Sequence, residues 1–230
     1  MDSEKVLVEL ALMSAHDEVE NVRTFVFERK NLQWVAGQSQ AYVLPQAGGT
    51  EAENQHWFTI ASAPMEGTIH ISTRISASPF KTALHSLNPG DTITTHSLGG
   101  KFVWEEDDDS LVTLIAAGIG ITPFRSILLQ RSATGKSLNA TLLYFNRTDE
   151  VLFQKELEDL AQKHSEFRMK LIVGEPITAE KILLMAPAAR EQVVYLSGPA
   201  PMVANIGSAL KEAGVVVKQD RFPGYDESNF

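Results

Sequence analysis

The stretch LVTLIAAGIGITP, Leu111 to Pro123, joins a nearly continuous apolar run to a glycine-rich turn and then to a proline that fits the first turn of a helix. An apolar run without alternation suits a strand covered on both faces, as in a parallel sheet. The turn after it has the glycines that let a backbone approach closely, and Thr122 is placed to cap the following helix. A helix N-terminus at that point favours a phosphate. The spacing is not G-x-G-x-x-G, because Pro123 stands at the third glycine position, and alone the turn is equally compatible with tight packing.

Working towards the C-terminus, strand patterns at Ala140–Phe145, Met169–Val173, Val193–Ser197 and Val215–Lys218 alternate with helical ones. The helices begin at Pro123, follow Phe153, Leu157, Leu160 and Ala161 on one face, cover about Thr178–Met185, and run from Met202 to Ala213, ended by Gly214. This alternation predicts a doubly wound α/β domain with a parallel sheet. Ligands bind beyond the C-terminal strand ends in such a domain, which singles out a second turn, Ser197-Gly198-Pro199-Ala200-Pro201-Met202.

Towards the N-terminus the texture differs. Turn signals at Ala36-Gly37, Gly48-Gly49, Asn88-Pro89-Gly90-Asp91 and Gly99-Gly100 separate short strand-like runs at Val6–Val8, Thr24–Phe27, Ala41–Leu44, Phe58–Ile60, Ile69–Thr73 and Thr92–Thr95. Strands of this length and spacing predict a small antiparallel barrel. One helical pattern, Pro79–Leu87, interrupts them, and the acids Glu105–Asp109 read as a solvated linker or turn. The expected domains are therefore 1–107, an antiparallel β-barrel, and 108–230, an α/β domain.

Composition limits what such a chain does. Its 230 residues suffice for two small cores, and 43% hydrophobic with 21% charged residues is ordinary for a soluble protein. A net charge of -9 argues against nucleic acid or an anionic membrane as partner. No run approaches the roughly 20 apolar residues of a membrane span, and no leader pattern is evident, so a cytoplasmic location is expected. With zero cysteines, the sequence contains no thiolate nucleophile and no ligands for a cysteine-bound iron–sulfur cluster.

Three motifs in order, His56-Trp57-Phe58-Thr59, Gly118 to Pro123 and Ser197 to Met202, make nearly the whole chain resemble the ferredoxin-NADP reductase-like flavoproteins. These join a flavin-binding barrel to a nicotinamide-nucleotide domain. In them the first motif is Arg-x-Tyr/Phe-Ser/Thr, the second G-x-G-x-T-P and the third Cys/Ser-Gly-Pro-x-x-Met. The resemblance implies an oxidoreductase that passes a hydride from NADH or NADPH to FAD and electrons on to a separate acceptor. It places Phe58 against the isoalloxazine ring, although Phe58 also reads as a barrel core residue, and it places Thr59 near flavin N5.

The family's Gly-x-Phe-Ser helix start, which holds the flavin pyrophosphate, falls on Ser78-Pro79-Phe80-Lys81, with Thr82 next; both the Gly and the Ser are changed. Arginine is replaced by His56, a weaker donor than a permanently charged fork, and Lys81 and Arg74 are expected to make up part of the loss. Gly118, Gly120, Thr122, Pro123, Ser197, Gly198, Pro199 and Met202 would hold the nicotinamide nucleotide. Ser197 replaces the common cysteine beside the nicotinamide, and Tyr225 would cover the nicotinamide side of the flavin. Asn146-Arg147 falls where an adenosine ribose lies and favours NADH.

The acceptor stays open among ferredoxin, flavodoxin, a monooxygenase component and a membrane redox protein. Relatives with a fused iron–sulfur domain, or with a cysteine-bound cluster as in the dihydroorotate dehydrogenase electron-transfer subunit, are set aside. Two readings compete: a degenerate flavoprotein that binds a nucleotide or partner without turnover, and a plain nucleotide-binding module with an empty barrel.

Overall fold

A computed structural model describes residues 4, 5, 7–44, 54–76 and 78–222, and the chain separates into two compact units, Met1–Val103 and Trp104–Phe230. Among the described residues the first holds seven strands: β1 (Glu4–Lys5), β2 (Glu9–Val19), β3 (Val22–Glu28), β4 (Ser39–Val43), β5 (Gln55–Thr59), β6 (Thr68–Arg74) and β7 (Thr92–Gly99). They form an antiparallel sheet in the order β5-β4-β7-β2-β3-β6, with β1 on β7.

The two ends of this sheet meet beyond β5. The Ala61 N–H donates to the His70 carbonyl at 3.0 Å, and the Ser62 hydroxyl accepts the His70 N–H at 3.0 Å while donating to the Thr68 carbonyl at 2.7 Å. Ala61, Ser62 and Ala63 are all fully buried, so small side chains are what lets this segment press against β6. Leu10, Phe25, Phe27, Tyr42, Ile60 and Ile71 share one core, which α1 (Pro79–His85) completes with Phe80 and Leu84.

Of the strand expected at Val6–Val8, Val6 lies outside the described residues, and Leu7 and Val8 precede the long β2, which starts at Glu9. Its outer half, Ser14–Glu18, lacks apolar alternation and so hides from a hydrophobic pattern; it is held as a ribbon with β3 through the turn at Asn21, φ 61. Met13 falls at a register shift in that pairing and is exposed.

In the second unit β8 (Val112–Ala117), β9 (Ala140–Asn146), β10 (Phe167–Val173), β11 (Val193–Pro199) and β12 (Val216–Phe222) pair in parallel in the order β10-β9-β8-β11-β12. β8 is central and buried along its whole length, as a run covered on both faces requires. The connecting helices are α2 (Thr122–Ala133), α3 (Gln154–Lys163), α4 (Ala179–Met185) and α5 (Ala200–Glu212). No helix among the described residues is long and apolar enough to cross a membrane.

The unit boundary lies at Val103/Trp104, ahead of the acid run. The guanidinium of Arg131, itself 3% exposed, sits 4.0 Å from the centre of the Trp104 ring and donates to the carbonyls of Ser137, Glu105 and Asp108 at 2.8, 2.8 and 2.9 Å. The Trp104 indole N–H donates to the same Asp108 carbonyl at 2.9 Å. The acid run is thus a turn fastened to the second unit by its backbone, not a free linker.

A forked donor that satisfies three carbonyls has no substitute of the same reach. Arg131→Met should lower stability to urea by about 3 kcal/mol, and Arg131→Lys should recover little of it. Equal denaturation midpoints for the natural protein and both variants would rule the clamp out.

Candidate functional site

In parallel sheets the turns that leave neighbouring strands at the same level compete for space. β8 and β11 are such neighbours, with Ala116 opposite Ser197, so the turn Gly118–Ile121 after β8 lies against the end of β11. A Cβ on Gly120 would overlap the Ser197 carbonyl and come within 2.7 Å of Gly198 Cα; one on Gly198 would come within 2.6 Å of Met202 Cε. Gly120 is explained by packing of turn on turn; at Gly198 the nearest atom is the movable end of the Met202 side chain, and a φ of 156° is what favours glycine there. Thr122 does not cap α2: its hydroxyl donates to the Ile119 carbonyl at 3.1 Å, and Ile121 takes the N-cap position with helical dihedrals. Pro123 lies in the first turn of α2 as expected, and Gly118 to Pro123 are all buried.

Beyond the strand ends lies a cleft of about 620 Å³. Asn146 and Arg147 border it from β9, Gly174 to Ile177 from the segment after β10, and Pro199, Pro201, Met202 and Asn205 from β11 and the start of α5. Four expected residues, Asn146, Arg147, Pro199 and Met202, are brought together here. Gly118, Gly120, Thr122, Pro123, Ser197 and Gly198 are not in its lining and instead form the packed turns alongside it.

At the ends of β9 and β11 two buried side-chain polar atoms are left without a protein partner. The Ser197 hydroxyl is fully buried at the end of β11, and the Asn146 side-chain amide nitrogen is buried at the end of β9. The Asn146 carbonyl accepts the Gly174 N–H at 2.9 Å, which fixes the two strand ends relative to each other.

Glu175 went unnoticed in the sequence, where Gly-Glu-Pro reads as a turn. It lines the same cleft as Arg147, and the Lys181 ammonium, 2.7 Å from its carboxylate, holds that carboxyl below the usual range. Ile177 and Asn205 were missed for the same reason: only the tertiary arrangement sets them beside Asn146.

In the first unit His56 and Phe58 project from one face of β5, and Trp57 from the other. Tyr42 of β4 stands opposite His56 in register. The His56 ring stacks on Phe80 at 4.4 Å between centroids with a tilt of 36°, and Phe58 lies 5.7 Å from Phe80 and 6.3 Å from Tyr42. Phe80 is therefore a buried core residue that the other rings lean on. Burial pushes the Tyr42 hydroxyl up to a pKa at which it stays protonated, and it has no protein partner.

Trp57 is exposed and lies against Gly99, apart from His56 and Phe58. Thr59 is buried and ends β5 opposite Ser39. Ser78 holds the N-cap position of α1 with no side-chain cap bond, Lys81 is half-buried, Thr82 is exposed, and Arg74 closes β6 opposite Val22. Tyr225 lies outside the described residues.

The family model "Oxidoreductase NAD-binding domain" matches residues 114–207. NADH-cytochrome b5 reductase 2 of Meyerozyma guilliermondii is 30% identical over 166 residues, 69% of this chain and 56% of the yeast protein. Ferredoxin–NADP reductase B of Sorangium cellulosum is 31% identical over 160 residues, 66% of this chain and 64% of the bacterial one. NADH-cytochrome b5 reductase 2-B of Vanderwaltozyma polyspora is 28% identical over 250 residues, 92% and 81% of the two chains. The match thus spans little more than half of the Meyerozyma relative.

Among solved structures, the cytochrome P450 reductase of Amycolatopsis superposes with a TM-score of 0.80 at 20% identity over 95% of this chain and 71% of that one. A ferredoxin NADP+ reductase from Neisseria gonorrhoeae, solved with FAD and NADP, gives 0.76 at 20% identity over 94% and 98%. At these identities the likeness is one of fold.

The packed turns make opposite demands on two neighbouring residues. Gly120→Ala should destabilise the protein by about 3 kcal/mol or more, because all three atoms in its way are backbone. Ser197→Ala should be neutral or stabilising by about 1 kcal/mol, since it removes a buried hydroxyl without a partner. Thermal unfolding of the two variants checks the pair; a large loss on Ser197→Ala would mean that the hydroxyl is bonded after all.

Proposed function

We propose that this chain, which belongs to the ferredoxin-NADP reductase-like family of FAD- and nicotinamide-nucleotide-binding oxidoreductases, takes a hydride from NADH or NADPH and delivers the electrons through a flavin to a separate acceptor. The observation that carries the reading is the cleft at the C-terminal strand ends, bordered by Asn146 with its buried, unpartnered amide nitrogen. Leaving such a group unpaired costs about 1–3 kcal/mol, and a ribose hydroxyl or an amide of a bound nucleotide removes that cost. A flavin, when bound, supplies a ring that accepts a hydride and passes electrons on.

The chain's own residues bind and orient. Met202 and Pro199 give the cleft an apolar side, and Asn146, Arg147 and Glu175 give it a polar one. In the first unit Phe58 and His56, packed on Phe80, would give a flavin ring an apolar, aromatic neighbour. We assign the reaction to the cytoplasm, where reduced nicotinamide nucleotides are supplied. The acceptor is a separate redox protein or redox-active molecule, and without cysteine this sequence holds no cysteine-bound cluster of its own.

We assign the coenzyme preference to NADH. A 2′-phosphate brought beside Arg147 would also meet the Glu175 carboxylate, which is kept ionised by Lys181. Glu175→Gln removes that repulsion and releases Lys181, so kcat/KM for NADPH relative to NADH should rise by about tenfold. Anaerobic bleaching of flavin absorbance by each nucleotide measures both the preference and the reaction. Bleaching by neither nucleotide would sink the oxidoreductase reading and leave the degenerate flavoprotein.

A further inference from the structure

We infer that Asn205 reads the base of the bound nucleotide, so that the protein selects adenine over hypoxanthine in the dinucleotide it oxidises. This rests on the oxidoreductase function proposed above and names the residue that sets its base specificity. The cleft has two kinds of wall. Asn146, Arg147 and Glu175, at or just beyond the ends of β9 and β10, are polar or charged and suit a ribose and its phosphates. The lining from β11 and α5 is Pro199, Pro201, Met202, Asn205 and Ile206, and among these Asn205 alone has a polar side chain. A flat, largely apolar ring with one hydrogen-bonding edge fits such a wall.

Nothing in the fold accounts for an asparagine at this position. It lies inside α5, past the first turn, so it caps neither end. It follows Pro201 by four residues, which puts both on one side of the helix, the side that borders the cleft. Asparagine is a poor helix former, because its side chain competes for backbone groups in other conformations. Asn205 is exposed, and its amide makes no hydrogen bond among the described residues. Both of its polar groups are thus available to a ligand.

The base follows from the chemistry of the amide, which sets an acceptor and a donor side by side. Adenine presents the complement on one edge, where the N6 amino group donates and N7 accepts. In hypoxanthine a carbonyl oxygen replaces the amino group, so both atoms of that edge accept. Whichever way the amide is turned, its own carbonyl then meets another acceptor, and one of the two bonds is lost. A site that hydrogen-bonds its substrate rejects an analogue lacking the partner more strongly than an apolar site does.

Anaerobic bleaching of flavin absorbance by NADH and by reduced nicotinamide hypoxanthine dinucleotide, on the full chain, tests the inference. The two differ only at the base, so kcat/KM for NADH should be about tenfold the higher. Asn205→Leu should bring the ratio close to one by lowering kcat/KM for NADH, and Asn205→Ala, a second variant at this exposed helical position, should do the same. Equal use of the two nucleotides by the natural protein overturns this inference alone and leaves the proposed oxidoreductase intact, and that comparison needs no variant. A preference for NADH that survives both substitutions also overturns it, since another group would then read the base. Bleaching by neither nucleotide overturns the inference and the oxidoreductase together.

Discussion

The second unit is organised around one steric constraint: the turn after β8 and the end of β11 occupy nearly the same space. Parallel neighbours in register end at the same height, and each must send its chain into a helix there. With Gly120 against the Ser197 carbonyl and the Gly198 Cα, two backbones close to a distance that no Cβ permits. Their tight junction leaves the ligand space to one side, over the ends of β9 and β10, where Asn146 and Arg147 stand. Packing alone accounts for Gly120, and Asn146 and Arg147 border the cleft beside that turn.

The first unit meets a comparable need by different means. Its sheet has two ends that must come together, and a segment of small residues, Ala61 to Ala63, brings the chain leaving β5 within hydrogen-bonding distance of β6. The same closure sets the face of β5 with His56 and Phe58 towards Phe80 on α1. Substituting a histidine for an arginine changes more than a charge in that setting. A planar ring of this size finds a stacking partner, and the contact fixes where its nitrogens lie.

Arg131 shows how a run that looks solvated by composition acquires structure. Five successive carboxylates would repel one another along a free linker. Their backbone carbonyls, however, are acceptors that face the same way at a turn, and one buried guanidinium takes two of them together with the Trp104 ring. Burial lowers the pKa of that guanidinium and Asp109 and Asp108 oppose the shift, so the acids support the charge that fastens them.

The sequence by itself determined the two architectures, the alternation of strands and helices in the second half, and three strand-end motifs in their order. These depend on period, length and turn residues, which are local properties. It did not disclose the outer half of β2, because polar residues on a two-stranded ribbon have no hydrophobic period, nor the role of Arg131, whose partners lie up to 27 residues away. Only the tertiary structure decided that Gly120 serves packing, that Thr122 does not cap α2, that Trp57 faces away from His56 and Phe58, and that Glu175 joins Arg147 at one cleft. The packing of Gly120 and the meeting of Glu175 with Arg147 at one cleft depend on which strands are neighbours and at what height they end, and strand order is a property of the whole sheet that no local window of sequence contains.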